Sequence, residues 1–164
     1  MTPEPAKSAP RYDAVLQTPF SLVGLCFENS RLIALDYLEA VDEKPAVTRI
    51  ARQASEQILR YCDDARDFRG FTIDIDARGT DFQRKVLQAL LEIPCGCTRT
   101  YGQIAKQLRT SPRAVGNACR RNPVPLIIPC HRVVAASGPG GYDGATAGPL
   151  LDMKLRLLKH EAAI

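Results

Sequence analysis

Residues 20–27 (FSLVGLCF) and 31–38 (RLIALDYL) are apolar, partly alternating runs with the polar pair Asn29-Ser30 between them. Period-two alternation around a turn-forming pair predicts an antiparallel hairpin. Residues 46–62 then place Val47, Ile50, Ala54, Ile58 and Tyr61 at helical spacing, which predicts an amphipathic helix. Residues 71–75 (FTIDI) alternate strictly and read as a further strand. The first half is therefore expected to be a small antiparallel sheet crossed by one helix, and it offers no catalytic constellation.

Residues 77–80 (ARGT) form the expected boundary, dividing the chain into an N-terminal α/β domain (1–76) and a C-terminal domain (77–164). Thr80 with Gln83 makes a capping box, followed by an apolar face of Phe82, Val86, Leu87, Leu90 and Leu91. A second capping box, Thr100 with Gln103, opens a helix with Ile104 and Leu108 as core contacts. After the turn at Arg109-Thr110, Ser111 is an N-cap and Pro112 sits at the first helical position, where its missing N–H costs nothing. That helix is expected to end before Asn122-Pro123, and two short helices around a tight turn read as a helix-turn-helix. Residues 127–134 (IIPCHRVV) read as a strand broken at Pro129, and residues 137–144 as a Gly/Pro-rich loop. Asp152 is expected to cap a last helix that turns Leu151, Leu155 and Leu158 to the core. The fold class is α+β, with a mostly helical second half.

Charge changes the picture more than composition does. The net charge is +4, yet residues 1–76 carry 9 Lys/Arg against 13 Asp/Glu, and residues 77–164 carry 13 against 5. A basic half beside an acidic one points to a polyanionic partner for the basic half. The helix over residues 112–121 has mostly small side chains, among them Ala114, Gly116 and Asn117, with Arg113 at its start and Arg120-Arg121 at its end. Small residues allow close backbone approach, to a neighbouring helix or to a DNA groove with the arginines on phosphates; the basic setting favours DNA. No run of about 18 apolar residues exists, so no membrane span is expected. Residues 1–13 have no apolar segment of a secretory signal and read as a short arm, so a cytoplasmic protein with six cysteine thiols is expected. Cys95-Gly96-Cys97 lacks the further ligands of a tetrahedral zinc site, so neither metal nor cofactor is expected.

The break at Pro129 is the candidate chemistry. A cysteine between apolar runs is often only a small buried hydrophobe. Here Pro129 is expected to expose Cys130 at a strand end, and His131 and Arg132 are costly to bury without partners. Nearby cations favour the thiolate, the nucleophilic form. His131 adjoins Cys130 in sequence, so a water can relay the proton. A carboxylate on the other ring nitrogen would fix the tautomer; Glu161 is a candidate, with Asp143 and Asp152 as rivals.

IPCHRVV, preceded by RAVGNACRRNPVP, resembles the O6-alkylguanine-DNA alkyltransferases, also called methylated-DNA–protein-cysteine methyltransferases. The likeness runs from residues 79–83 (GTDFQ) through IPCGCTRTYGQIA to LLKHE, essentially the whole second half. It implies an RNase H-like first domain. It implies single-turnover DNA repair, with transfer of the alkyl group from guanine O6 to Cys130, and repair of O4-alkylthymine left open. His131 would deprotonate Cys130 through a water, and Glu161 would orient His131. Tyr101 would donate to the guanine ring as charge develops, Asn122 would tie the small-residue helix to the Cys130 segment, and Pro125 would wall the alkyl pocket. The carbonyls of Cys130 and Val133 would read the guanine amino group. The partner would be duplex DNA, bound in the minor groove with the alkylated guanine flipped out and Arg113 filling the stack. A monomer is implied, with cooperativity along DNA open. Three departures stand out. Leu87 replaces a common Trp; Asp143 stands where members often carry a hydroxyl donor, which an ionised carboxylate cannot replace; and an extra stretch, ATAGPLLD, precedes the last helix. Against this reading stand a non-catalytic alkylated-DNA recognition protein or transcriptional regulator, and a cysteine hydrolase.

Overall fold

The computed structural model describes residues 12–142 and 145–164. Strands β1 (Ala14–Gln17), β2 (Leu22–Glu28) and β3 (Arg31–Leu38) form an antiparallel sheet in the order β1-β2-β3. The predicted hairpin is present: Asn29 and Ser30 both adopt positive φ between β2 and β3, the geometry a tight turn requires. Helix α1 (Arg49–Asp63) lays Ala51, Ala54, Ile58 and Tyr61 into the core. It starts later than the spacing implies, because the Thr48 side chain accepts from the Ala51 N–H and fixes the cap there. Val47 therefore falls outside the helix and is exposed.

Residues 71–75 do not form the predicted strand. The segment runs along the outer edge of β3, where only Leu32 N–H to Asp74 O and Asp76 N–H to Leu32 O tie it. Its alternation instead serves packing, with Phe71, Ile73 and Ile75 against the core. Strand β1 is four residues long, too short to show a period.

Helix α2 (Asp81–Leu91) has the predicted capping box at Thr80 and Gln83. Val86, Leu87 and Leu90 are buried, whereas Phe82 and Leu91, expected on the same face, are exposed at its two ends. Strand β4 (Arg99–Thr100) leads directly into α3 (Tyr101–Leu108), capped by Thr100 and Gln103 as predicted. Arg109 takes the left-handed conformation that stops α3, and Ser111 caps α4 (Pro112–Arg120) by accepting from Ala114 N–H.

The IIPCHRVV segment is not an interrupted strand. Pro129 lacks an N–H, and residues 127–129 make only the isolated local bridge of Ile128 to Pro125; the chain turns, with Leu126 at φ 76° and Ile128 N–H bonded to Val124 O. Cys130–Arg132 form one 3-10 turn, and β5 (Val133–Val134) pairs in parallel with β4. Helix α5 (Pro149–His160) begins at Pro149, so Asp152 lies within its first turn, where a carboxylate complements the helix dipole, and does not cap it. Its buried face is Met153, Lys154, Leu157 and Leu158, with Leu151 and Leu155 only half-buried. Lys154 rotates the face, because its ammonium finds carbonyl partners inside. Buried residues of both halves form one cluster, from Ala14 to Leu157. The architecture is α+β: a three-stranded antiparallel sheet with several helices. No helix among the described residues is long and apolar enough to cross a membrane.

Candidate active site and nucleic-acid interface

The pairing of β5 with β4 brings the Cys130 turn beside Tyr101, the first residue of α3. The end of α4 is fastened to the same turn through one carbonyl. Ile128 O accepts from Asn122 Nδ2 at 2.8 Å and from Cys130 N–H at 2.8 Å, and Asn122 Oδ1 accepts from Val124 N–H at 3.0 Å. Asn122 thus satisfies buried backbone where no regular ladder does.

Cys130 is buried rather than exposed, at 5% of its surface. It still lines an open cavity of about 440 Å³, together with Tyr101, Arg113, Gly116, Asn117, Cys119 and Arg120 on one side and Gly141, Tyr142, Ala145 and Thr146 on the other. That volume suits a small-molecule or single-base ligand. Ala114 and Arg121 lie on an adjoining groove with Phe82 and Asn117. Pro125 and Val133 are buried and do not line the cavity. The carbonyls of Cys130 and Val133 accept from Val133 N–H and Lys154 Nζ respectively, which leaves each a second lone pair. Asp143 lies outside the described residues. All six cysteines are thiols, and no cluster of metal-binding side chains occurs among the described residues.

Behind the cysteine sits a buried polar network. His131 is fully buried, and its Nε2 lies 2.8 Å from Glu161 Oε1. Arg132 grips the same carboxylate twice, Nε to Oε2 at 2.9 Å and a terminal nitrogen to Oε1 at 2.8 Å, and donates again to Ile93 O at 2.7 Å. Burial works to raise the Glu161 carboxyl, yet hydrogen bonds and charge from His131 and Arg132 hold it well below the usual carboxylate range. An ionised carboxylate only accepts, so His131 Nε2 must carry the proton. Burial also lowers the His131 pKa, against the pull of Glu161. The imidazole is therefore neutral with its lone pair on Nδ1, the one buried side-chain nitrogen or oxygen without a hydrogen-bond partner among the described residues. Of the three candidate acids, the structure brings Glu161 to His131; Asp152 is an exposed residue of α5.

Glu161 is set by the end of α5. Ala163 N–H bonds to Leu158 O and Ala162 N–H to Lys159 O, a Schellman closure with Ala162 in the left-handed position. The extra residues before α5 are absorbed ahead of and within its first turn, so they do not displace Glu161. Gly96, at φ 84°, lets the turn after α2 approach the Glu161 carbonyl, which a Cβ would meet at 3.2 Å.

Lys154 escaped the sequence reading. It is fully buried and donates to Val133 O at 2.6 Å and Gly141 O at 2.8 Å, with the Tyr101 ring 5.8 Å away. Burial pushes it down to about 8, while the adjacent Cys130 and Cys119 favour its charged form. Its only trace in the sequence is a single Lys between Met153 and Leu157 on a helix that otherwise buries apolar groups. Burial pushes the Tyr101 phenol up to about 12, so it keeps its proton at neutral pH. It reaches Gly141 O at 3.4 Å, and Gly140 is needed because a Cβ there would sit 2.9 Å from the Tyr101 ring. Tyr142, also missed, bonds through its hydroxyl to Tyr37 of β3 at 2.6 Å.

A thiol at an open cavity, a neutral imidazole oriented by a carboxylate and a protonated phenol can together support nucleophilic displacement with proton transfer. Known proteins point the same way. The family described as 6-O-methylguanine DNA methyltransferase, DNA binding domain, matches residues 81–163. A methylated-DNA–protein-cysteine methyltransferase of Methanosarcina acetivorans is 36% identical over 93% of this chain and 99% of its own. One from Methanosarcina mazei is 45% identical over 85% of this chain and 82% of its own. The crystal structure of Mycobacterium tuberculosis O6-methylguanine methyltransferase superposes with a TM-score of 0.76 at 35% identity, covering 91% of each chain. The same protein in complex with DNA gives a TM-score of 0.75.

Proposed function

The chain belongs to the methylated-DNA–protein-cysteine methyltransferases, DNA-binding repair proteins that move an alkyl group from DNA onto one of their own cysteines, and from that premise we propose that Cys130 is the acceptor. The observation that carries this is the juxtaposition of the Cys130 thiol at an open cavity with a buried His131 whose Nε2–H is committed to Glu161. His131 Nδ1 takes the thiol proton through a water. The sulfur attacks the saturated carbon on guanine O6; the S–C bond forms as the C–O bond breaks, and the electron pair returns to the purine. Tyr101 gives its hydrogen bond to the ring as that charge develops. The thioether has no route back, so each molecule acts once.

The target atom lies inside a duplex, so the nucleotide must leave the stack to reach the cavity. α3 and α4 act as a helix-turn-helix whose second helix enters the minor groove. Its outward residues Arg113, Ala114, Gly116 and Asn117 support this, being exposed or half-exposed and small apart from the arginine. Arg113 holds the gap; Arg120 and Arg121 meet phosphates. The chain acts as a monomer with an RNase H-like first domain (1–76) and a DNA-binding and acceptor domain (77–164).

The test uses duplex DNA carrying labelled O6-methylguanine. Stoichiometric transfer of label to the protein, lost in Cys130→Ala, is expected; binding without transfer would leave only a recognition protein. Arg113→Ala is expected to slow repair of duplex DNA more than reaction with a free alkylated guanine base, and equal losses would remove its role in base extrusion.

A further inference from the structure

Among the described residues, the first half of the chain supplies none that lines the Cys130 cavity, yet one of its side chains ends on the carboxylate behind the nucleophile. Tyr61 of α1 donates its hydroxyl to Glu161 Oε1 at 2.7 Å, and both groups are buried. The contact is held from several sides. His160 Nε2 lies 2.7 Å from the Tyr61 carbonyl oxygen, and the Tyr61 ring meets His160, Phe68 and Phe71 edge-on or tilted, at centroid distances of 5.4 to 5.9 Å. The last two residues before the left-handed stop at Ala162 thus clasp one tyrosine.

Oε1 is the oxygen that also orients His131. It accepts three hydrogen bonds: from Tyr61, from His131 Nε2 and from Arg132. Burial and the Glu161 charge push the Tyr61 phenol far above its ordinary value, so it stays protonated and can only add donor character to Oε1. Each donor that Oε1 satisfies draws electron density away from its bond to His131. We propose that Tyr61 is a positioning residue of the alkyl-transfer site, supplied by the first half of the chain, which fixes Glu161 Oε1 and sets how strongly it holds the His131 imidazole. The inference rests on the reading of Cys130 and His131 as acceptor and base.

Its sign follows from the geometry. The charged and titratable groups facing His131 are Glu161 and Lys154 from α5 and Arg132 from its own turn, and Cys130 precedes it in the chain; Cys95, from the turn after α2, faces Glu161. All of these come from the second half of the chain, and Tyr61 reaches Glu161 from the first. Without its hydroxyl, Oε1 turns more of its charge to His131 Nε2–H. The imidazolium is then better stabilised, and a smaller share of His131 is neutral at a given pH. In Tyr61→Phe, transfer at saturating protein is expected to fall about three- to tenfold near pH 6. The acid limb should move to higher pH, with the deficit narrowing above pH 8 and affinity for undamaged DNA unchanged. Tyr61→Leu, which also loses the ring packing, should share the displaced limb while melting at lower temperature. A purely structural tyrosine would lower the melting temperature and leave the limb where it is in the unsubstituted protein.

Nitrogen-15 NMR gives a readout independent of repair, since His131 and His160 are the only histidines. The His131 titration should move upward in Tyr61→Phe. Failure of the unsubstituted protein to transfer label would sink the acceptor reading but leave this shift measurable. Superposable pH–rate profiles and His131 titrations for the unsubstituted protein and Tyr61→Phe would overturn the inference.

Discussion

The two halves of the chain touch the same carboxylate in different ways. The second half reaches Glu161 with charge and with a titrating group, Arg132 and His131; the first half reaches it with a phenol that never ionises in the working range. The same division holds at the cavity wall, where the second half places Cys130, Tyr101 and Arg113, and the first, among the described residues, touches the rear of Tyr142 through Tyr37. Chemistry is concentrated where residues 77–164 carry their excess of cations, and the acidic half contributes support from behind. Substitutions in the charged set should therefore cost orders of magnitude, and those in the supporting set only small factors.

The largest effect is expected for Glu161→Gln. The amide can place an N–H against His131 Nε2, which removes the reason for that nitrogen to hold the proton. Single-turnover transfer should slow on the order of 100-fold while DNA affinity holds. A loss no larger than that of Tyr61→Phe would erase the contrast between the halves.

Lys154→Met comes next and separates rate from stability. The ammonium anchors Val133 and Gly141 beside Cys130, so transfer should slow about tenfold. Its burial is costly, so replacement by an apolar side chain of similar length should leave the melting temperature at pH 7 equal or higher. A lower melting temperature with full activity would make Lys154 a structural residue only.

Acid should weaken the fold through the same network. Both His131 and Glu161 have folded pKa values below their unfolded ones, so the unfolded chain binds the extra protons and stability falls with pH. The His131 contribution fades as pH drops below about 6.5, and that of Glu161 below the ordinary carboxylate range. Denaturant midpoints between pH 7 and pH 4 should decline, and His131→Gln should flatten the upper part of that decline.

The smallest effect is conformational. Ala162 occupies the left-handed position that closes α5, where a side chain is strained. Ala162→Gly should raise stability by about 0.5–1 kcal/mol and leave transfer unchanged. An altered rate would mean that the end of α5 is strained for function.

How much of this was legible depended on how local each signal is. The capping boxes at Thr80 and Thr100 and the N-cap at Ser111 satisfy N–H groups three residues away, so the pattern alone reveals them. Cys130, His131 and Glu161 could be assembled from residue type and from resemblance. The tautomer of His131 could not, because it follows from which ring nitrogen faces Glu161. Polarity patterning gives no reason for Lys154 to point inward; carbonyls 21 and 13 residues away supply it. Tyr61 was legible as core but not as a donor, since its acceptor lies 100 residues on. Residues 71–75 alternate as a strand does, but they face an edge that offers only isolated bonds.

The central claim is tested most directly by peptide mass spectrometry after exposure to excess duplex DNA bearing O6-methylguanine. The peptide containing Cys130 should gain one methyl group, at one per molecule, and those of Cys26, Cys62, Cys95, Cys97 and Cys119 none. An unmodified Cys130 peptide after the lesion has been repaired, or a methyl group on any other cysteine, would contradict the account.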